Sequence, residues 1–167
     1  MHKHATIPDK IVSLPSAATE LYTMPGHLIR RLYQASQAVF DAELSAANID
    51  LTSVQFAVLS MVAANPGTDQ ARLAAAIAFD RATTGGVIDR LEAKGLVRRE
   101  IAKTDRRARY LYLEANGTTV LEAAWPIVRF AQTQMLTRLS QSERAMFLDL
   151  LSKAVAVGEP ATSPDQL

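Results

Sequence analysis

Cysteine is absent from these 167 residues, which rules out disulfides, thiol nucleophiles, zinc–thiolate sites and cysteine-based redox sensing. Aromatics are sparse at 6%, and histidine occurs three times, as His2, His4 and His27. Catalysis has little to draw on. There is no Ser–His–Asp order, no glycine-rich phosphate loop after a strand and no carboxylate pair in a plausible cleft, so no enzyme is expected. No apolar run approaches the ~20 residues of a membrane span. The first residues, MHKHATIPDKIVSLPSAATE, contain no continuous apolar core. No signal peptide is therefore read, and a cytoplasmic location is expected. Neither sign of charge dominates: 18 Lys+Arg against 17 Asp+Glu leave a net charge of +1. No cofactor is expected and no metal, because His2-Lys3-His4 offers two ligands with no clear third.

What is present is concentrated. Hydrophobic residues make up 49% of the chain, enough for a packed core, and the length suits one domain with or without an oligomerisation element. Between positions 94 and 109 stand Lys94, Arg98, Arg99, Lys103, Arg106, Arg107 and Arg109 against only Glu100 and Asp105, a local charge of +5. A cluster of this kind is the electrostatic footprint of polyanion binding, although an isolated charge run is more often a solvated surface. Its setting decides between the two. Asp80 to Lys94 carries helix signals that Gly95 stops, Leu96 to Ile101 and Arg109 to Leu113 look extended, and residues 102–108 form a basic turn between them. A helix followed directly by a basic hairpin is the layout of a winged helix, which places a helix in the major groove of DNA and a charged loop beside it.

The remaining elements follow from periodicity and capping. Thr23-Met24-Pro25 suits a helix entry with Thr23 as cap, and Leu28, Leu32, Ala35, Val39 and Ala42 form a stripe along a helix reaching about Ala47. Asn48-Ile49-Asp50 breaks it, Thr52 caps a second helix over Ser53 to Ala64, and Asn65-Pro66-Gly67 ends that one. A short third helix starting at Thr68 or Asp69 runs to Ile77. It turns at Phe79-Asp80 into the fourth, giving a helix-turn-helix with Asp80 as the second cap. Gly85 and Gly86 are either tolerated at an exposed site or let the backbone approach bases and phosphates. Glu114 to Gly117 leads into a helix from about Thr118 to Leu139, which Pro126 should kink or break. Ser140 and Glu143 fit a capping box for a last helix to about Val157.

Three stretches resemble the MarR family of bacterial transcription regulators, over roughly residues 25–155: LTSVQFAVLSMVAANPGT, DRATTGGVIDRLEAKGLVRRE and TDRRARYLYLEANGTTVLEAA. The last is similar to the family's wing motif and the start of its fifth helix, with Glu114 standing where relatives often have Thr. The resemblance implies that Arg107 enters the minor groove and that Asp105 supports it. Arg81, Thr83, Thr84, Gly85, Asp89 and Arg90 fall on the implied recognition helix. Arg81 and Arg90 suit phosphate or guanine, and Thr83 suits a thymine methyl, while Val87, Ile88 and Leu91 belong to the core by spacing. Lys103, Arg106 and Arg109 complete the implied DNA-binding set. PGHLIRRLYQ and RATTGGVIDRLE look like members that control catabolism of aromatic acids, which implies a small aromatic carboxylate as effector. His27 and Arg31, four apart on one helix face, either serve that carboxylate or are ordinary surface residues.

The expected fold is mainly α with a small β-hairpin wing, a winged helix-turn-helix joined to a helical dimerisation region. Residues 1–22 form an N-terminal arm, 23–50 and 114–157 the dimerisation region, 51–113 the DNA-binding domain and 158–167 a disordered tail. The expected function is a ligand-responsive repressor that binds a palindromic operator as a homodimer and is released by a small aromatic or phenolic acid. A metal-responsive regulator of the same fold and an enzyme are the alternatives.

Overall fold

The computed structural model describes residues 20–101 and 109–155. In chain order the elements are α1 (Pro25–Ala46), α2 (Ser53–Ala64), β1 (Thr68–Asp69), α3 (Gln70–Ala76), α4 (Arg81–Ala93), β2 (Val97–Ile101), β3 (Arg109–Leu113), α5 (Ala115–Met135) and α6 (Gln141–Val155). This is the expected helix-rich architecture with a small sheet. None of the helices is long and apolar enough to cross a membrane.

Local chemistry sets most boundaries. Thr52 and Gln55 form a reciprocal capping box at α2, with the Gln55 amide donating to Thr52 Oγ1 at 3.3 Å and the Thr52 amide to Gln55 Oε1 at 3.0 Å. Ser140 and Glu143 do the same ahead of α6. At α1 the expected cap fails. Met24 holds the cap position, and the Thr23 hydroxyl instead donates back to the Glu20 carbonyl at 2.8 Å. The strand β1 has no counterpart in the sequence reading, which starts the third helix at Thr68 or Asp69. Both residues pair antiparallel with β3, Thr68 opposite Leu111 and Asp69 opposite Tyr110, and the sheet order is β1-β3-β2. Two residues are too few to show an alternating pattern.

The start of α5 is also corrected. It lies at Ala115, so Asn116 and Gly117 are helical. The Leu96 carbonyl accepts a hydrogen bond from the Glu114 amide at 3.0 Å, and a Cβ on Gly117 would stand 2.0 Å from that same oxygen. Gly117 is therefore a contact point between the helix and the backbone before β2, where only hydrogen fits. The helix continues through Pro126 and ends at Met135, four residues before the expected end.

One core unites the helices with the hairpin. Val58, Leu59 and Val62 of α2, Val87, Ile88 and Leu91 of α4, Leu111 of β3 and Ala124 and Val128 of α5 are all buried in it. Phe56 meets the Trp125 ring edge-on at 4.9 Å between centroids. From α1, only Phe40 and Leu44 are buried. Elsewhere along the apolar stripe Leu28, Ala35 and Ala42 are exposed, and so are Ile29 and Tyr33.

Candidate nucleic-acid interface

The helix-turn-helix is built by two aspartates and one glutamine. Asp69 Oδ1 accepts the Ala71 and Arg72 amides, each at 2.9 Å, and so caps α3. Asp80 caps α4, accepting the Thr83 amide at 2.8 Å and the Thr83 hydroxyl at 2.5 Å. These bonds favour the ionised form, so the Asp80 carboxyl titrates below its ordinary range. Between the helices the chain turns through Ala78 at φ +54°. Gln70 then ties the two helices together, its side-chain amide donating to the Arg81 carbonyl at 2.9 Å.

That tie explains Gly85. A Cβ there would lie 2.9 Å from Gln70 Nε2, so the missing side chain makes room for a neighbouring helix rather than for DNA. Thr84 is also removed from the expected contact set. It is fully buried, and its hydroxyl donates to the Asp80 carbonyl at 2.8 Å. Spaced with Val87, Ile88 and Leu91, it lies on the face that packs inward. Arg81, Thr83 and Arg90 are exposed as expected. Arg90 Nε donates to the Gly86 carbonyl at 2.9 Å, and Gly86 has open space around its Cβ position apart from Arg90 itself.

Beside α4, β2 and β3 pair antiparallel from Val97 opposite Leu113 to Ile101 opposite Arg109, and Arg109 is exposed at the hairpin's distal end. Lys103, Asp105, Arg106 and Arg107 lie outside the described residues. Of the other cations in the basic cluster, three already have anionic partners. Lys94 pairs with Asp50 at 2.6 Å, Arg98 with Glu100 at 2.7 Å while lying over the Tyr112 ring, and Arg99 with both Asp89 and Glu92. A count along the chain overstates the field of this region, because Asp50, Asp89 and Glu92 lie outside the counted window.

Arg99 is the most enclosed of these cations, its side chain 19% exposed. It sits on β2 yet grips α4: Nη2 donates to Asp89 Oδ1 at 2.5 Å, and Nη1 to Glu92 Oε2. The Arg99 amide also donates to Glu92 Oε1 at 3.2 Å. Burial opposes its charge, but the bonds and attraction of the two carboxylates outweigh that, so its pKa is raised above the ordinary value. A forked charge-assisted pair of this kind fixes geometry as well as energy, and here it sets the hairpin against the helix. In the sequence Arg99 is one of seven cations in the basic cluster, and nothing there marks Gln70. The available signal was the spacing of Asp89 and Glu92, three apart and so on one helix side facing the strand that follows.

The first and last of the described helices are largely exposed. His27 and Arg31 do share a face of α1, grouped around Tyr22: the His27 ring meets it edge-on at 5.5 Å and the Arg31 guanidinium lies 5.8 Å from its centroid. Neither ring nitrogen of His27 has a hydrogen-bond partner among the described residues. No residue of α6 is buried, and Leu148 and Leu150 are exposed, as is Phe130 on α5.

Comparison with known proteins agrees with this geometry. The sequence model described as MarR family matches residues 49–108, from within the α1–α2 loop up to the residue before β3. The chain is 39% identical over 127 residues to the transcriptional regulator HosA of Escherichia coli, a match covering 76% of this chain and 91% of HosA. Among solved structures, BpsR of Bordetella bronchiseptica superposes with a TM-score of 0.74 at 30% identity, over 80% of this chain and 94% of that one. The transcriptional repressor CouR, solved on a 23-mer DNA duplex, superposes with a TM-score of 0.75 at 28% identity, over 81% and 95%. With a helix-turn-helix, an adjoining hairpin and this likeness along nearly the full length of HosA, the chain belongs to the MarR family of transcription regulators.

Proposed function

We propose that this regulator is a repressor that binds a palindromic operator as a homodimer and leaves it when a small aromatic carboxylate binds. The observation that carries the reading is the pairing of α4, outward-facing with Arg81, Thr83 and Arg90 exposed, with a hairpin rigidly fixed beside it by Arg99. That pairing offers a helix to the major groove and the hairpin tip to the adjacent minor groove. In this reading Arg81, Thr83 and Arg90 contact DNA from the helix. Lys103, Arg106, Arg107 and Arg109 contact it from the hairpin, with Asp105 steadying Arg107. The uncovered apolar sides of α1, α5 and α6 meet the same elements of a second copy, which supplies two reading heads. CouR, a repressor bound to duplex DNA, supports the DNA-binding part.

The effector part draws on the Tyr22, His27 and Arg31 group, which combines an aromatic face, an imidazole with no hydrogen-bond partner among the described residues and a guanidinium suited to a carboxylate. The DNA binding of BpsR is regulated by 6-hydroxynicotinic acid, an aromatic acid of this class. Release then requires that the acid bind one dimer shape more tightly than the other.

Fluorescence anisotropy with the DNA upstream of its own coding region tests the first part. The chain is expected to bind it, and Arg107→Ala to weaken binding at least ~10-fold without unfolding the dimer; one good base or groove contact of this kind carries 1–3 kcal/mol. Unchanged affinity at moderate salt would remove the hairpin tip from the interface. A thermal-shift screen of aromatic carboxylates tests the second, since a ligand of the folded state raises Tm by mass action. Arg31→Ala should abolish the shift, and a shift that survived it would place the acid elsewhere.

A further inference from the structure

We propose that Asp89 reads a base from the recognition helix, accepting a hydrogen bond from the amino group of a cytosine in the major groove, and that Arg99 is the positioning residue that aims it. The inference rests on the DNA-binding reading above and adds a residue and a base preference to it.

Asp89 lies on the side of α4 opposite Thr84, Ile88 and Leu91, and its side chain is 68% exposed. It is not a loose surface carboxylate. Arg99 Nη2 holds Oδ1 at 2.5 Å, and Arg99 is itself held by Glu92, through both the guanidinium and the backbone amide. A carboxylate offers about four acceptor positions, and Arg99 occupies one of them. The rest stay directed outward from a side chain that cannot swing freely. The surroundings are cleared for close approach. Helical side chains lean toward the preceding turn, and for Asp89 that turn carries Gly86 on its open side, while Gln70 fills the space left at Gly85. A Cβ on Gly86 would meet nothing nearer than Arg90 Nη2 at 3.9 Å. Ala82 and Ala93 keep the same side short. A carboxylate on a one-carbon stem needs that clearance to reach base edges.

Charge narrows the role further. Asp89, Glu92 and Arg99 together carry a net negative charge on a helix that faces a polyanion. An acceptor-only group there cannot bind phosphate and must find a donor. In the major groove guanine and thymine edges present acceptors, and adenine sets its amino donor beside the N7 acceptor, which repels a carboxylate. Cytosine presents the N4 amino group with a C5–H on one side, where adenine has N7, and the paired guanine's O6 on the other. Cytosine is therefore the base that Asp89 fits.

The test is a binding selection from randomised duplexes with the full-length protein, followed by anisotropy on duplexes carrying each of the four base pairs at the positions selected. Wild type is expected to favour cytosine at one symmetry-related position per half-site by about tenfold over the other bases. Asp89→Asn should move that preference to adenine, since an asparagine amide matches the N6 and N7 pair. Arg99→Gln should lower affinity for every sequence, because the hairpin loses its hold on α4, and should in addition flatten the preference at the same position while the profile elsewhere keeps its shape, with Arg99→Lys restoring part of that preference. A merely structural Arg99 would lower affinity for every sequence and leave the cytosine preference intact. The proposal is overturned if Asp89→Asn changes affinity uniformly with the base profile intact, or if Arg99→Gln remains folded by circular dichroism and keeps the cytosine preference. If wild type selects no sequence at all, the DNA-binding reading falls and takes this one with it, an outcome distinct from a normal selection profile that ignores position 89.

Discussion

Gly117 and Gly86 are both helical glycines, and the space around each predicts opposite results from the same substitution. At Gly117 the added methyl would lie 2.0 Å from the Leu96 carbonyl oxygen, a backbone atom already receiving the Glu114 amide. Neither the oxygen nor the helix can yield cheaply, so Gly117→Ala should destabilise by about 3 kcal/mol, at the upper end of overpacking costs. At Gly86 the methyl enters open space, and alanine restricts the unfolded chain, so Gly86→Ala should stabilise by about 0.5–1 kcal/mol. Urea unfolding of both variants checks the pair, and equal effects would show that helix propensity alone governs both sites. The two glycines also mark what sequence can reveal at this scale. Thr84 was separable from Thr83 by its spacing with Val87, Ile88 and Leu91. Gly117 was not legible as a helical residue, because Asn116-Gly117 reads as a turn and only the distant Leu96 backbone explains it.

Among the elements, those with a local signal at their ends were the legible ones. Thr52, Asp80 and Ser140 each cap the helix expected of them. The two-residue β1 is defined solely by pairing with β3, forty residues on, and nothing local announces it. The same dependence hides the hold of Arg99 on α4. The cap at α4 carries a pH prediction. Asp80 titrates below its ordinary value because the Thr83 hydroxyl and then the Thr83 amide hydrogen-bond to it. A carboxyl lowered on folding contributes stability in full above the unfolded value, about 4, and loses it as pH falls through the folded value. Asp80→Ala should therefore be less stable than wild type at neutral pH, with the difference shrinking as pH drops below about 4. Thermal melts of both proteins across that range measure it. A gap that stayed constant with pH would mean that the charge of the cap is irrelevant.

At the scale of the molecule, the winged core closes within one chain while the outer helices do not. The buried residues of α2, α4, α5 and the hairpin form a continuous set, but α6 buries none and the amino-terminal half of α1 leaves Leu28, Ile29 and Tyr33 exposed. Exposed apolar surface of this kind suits an interface, and its distribution over the first and last of the described helices fits the homodimer proposed above. Leu148→Glu together with Leu150→Glu adds four like charges per dimer to that face while leaving the winged core untouched. Sedimentation at micromolar concentration should then show a monomer that keeps the helical spectrum of wild type. Its affinity for a full operator should fall by 10²-fold or more, to the level of wild type on a single half-site, since linking two sites multiplies affinity by roughly 10²–10⁴. A double variant that stayed dimeric would move the interface away from α6. One that became monomeric yet bound the full operator unchanged would show that a single head suffices.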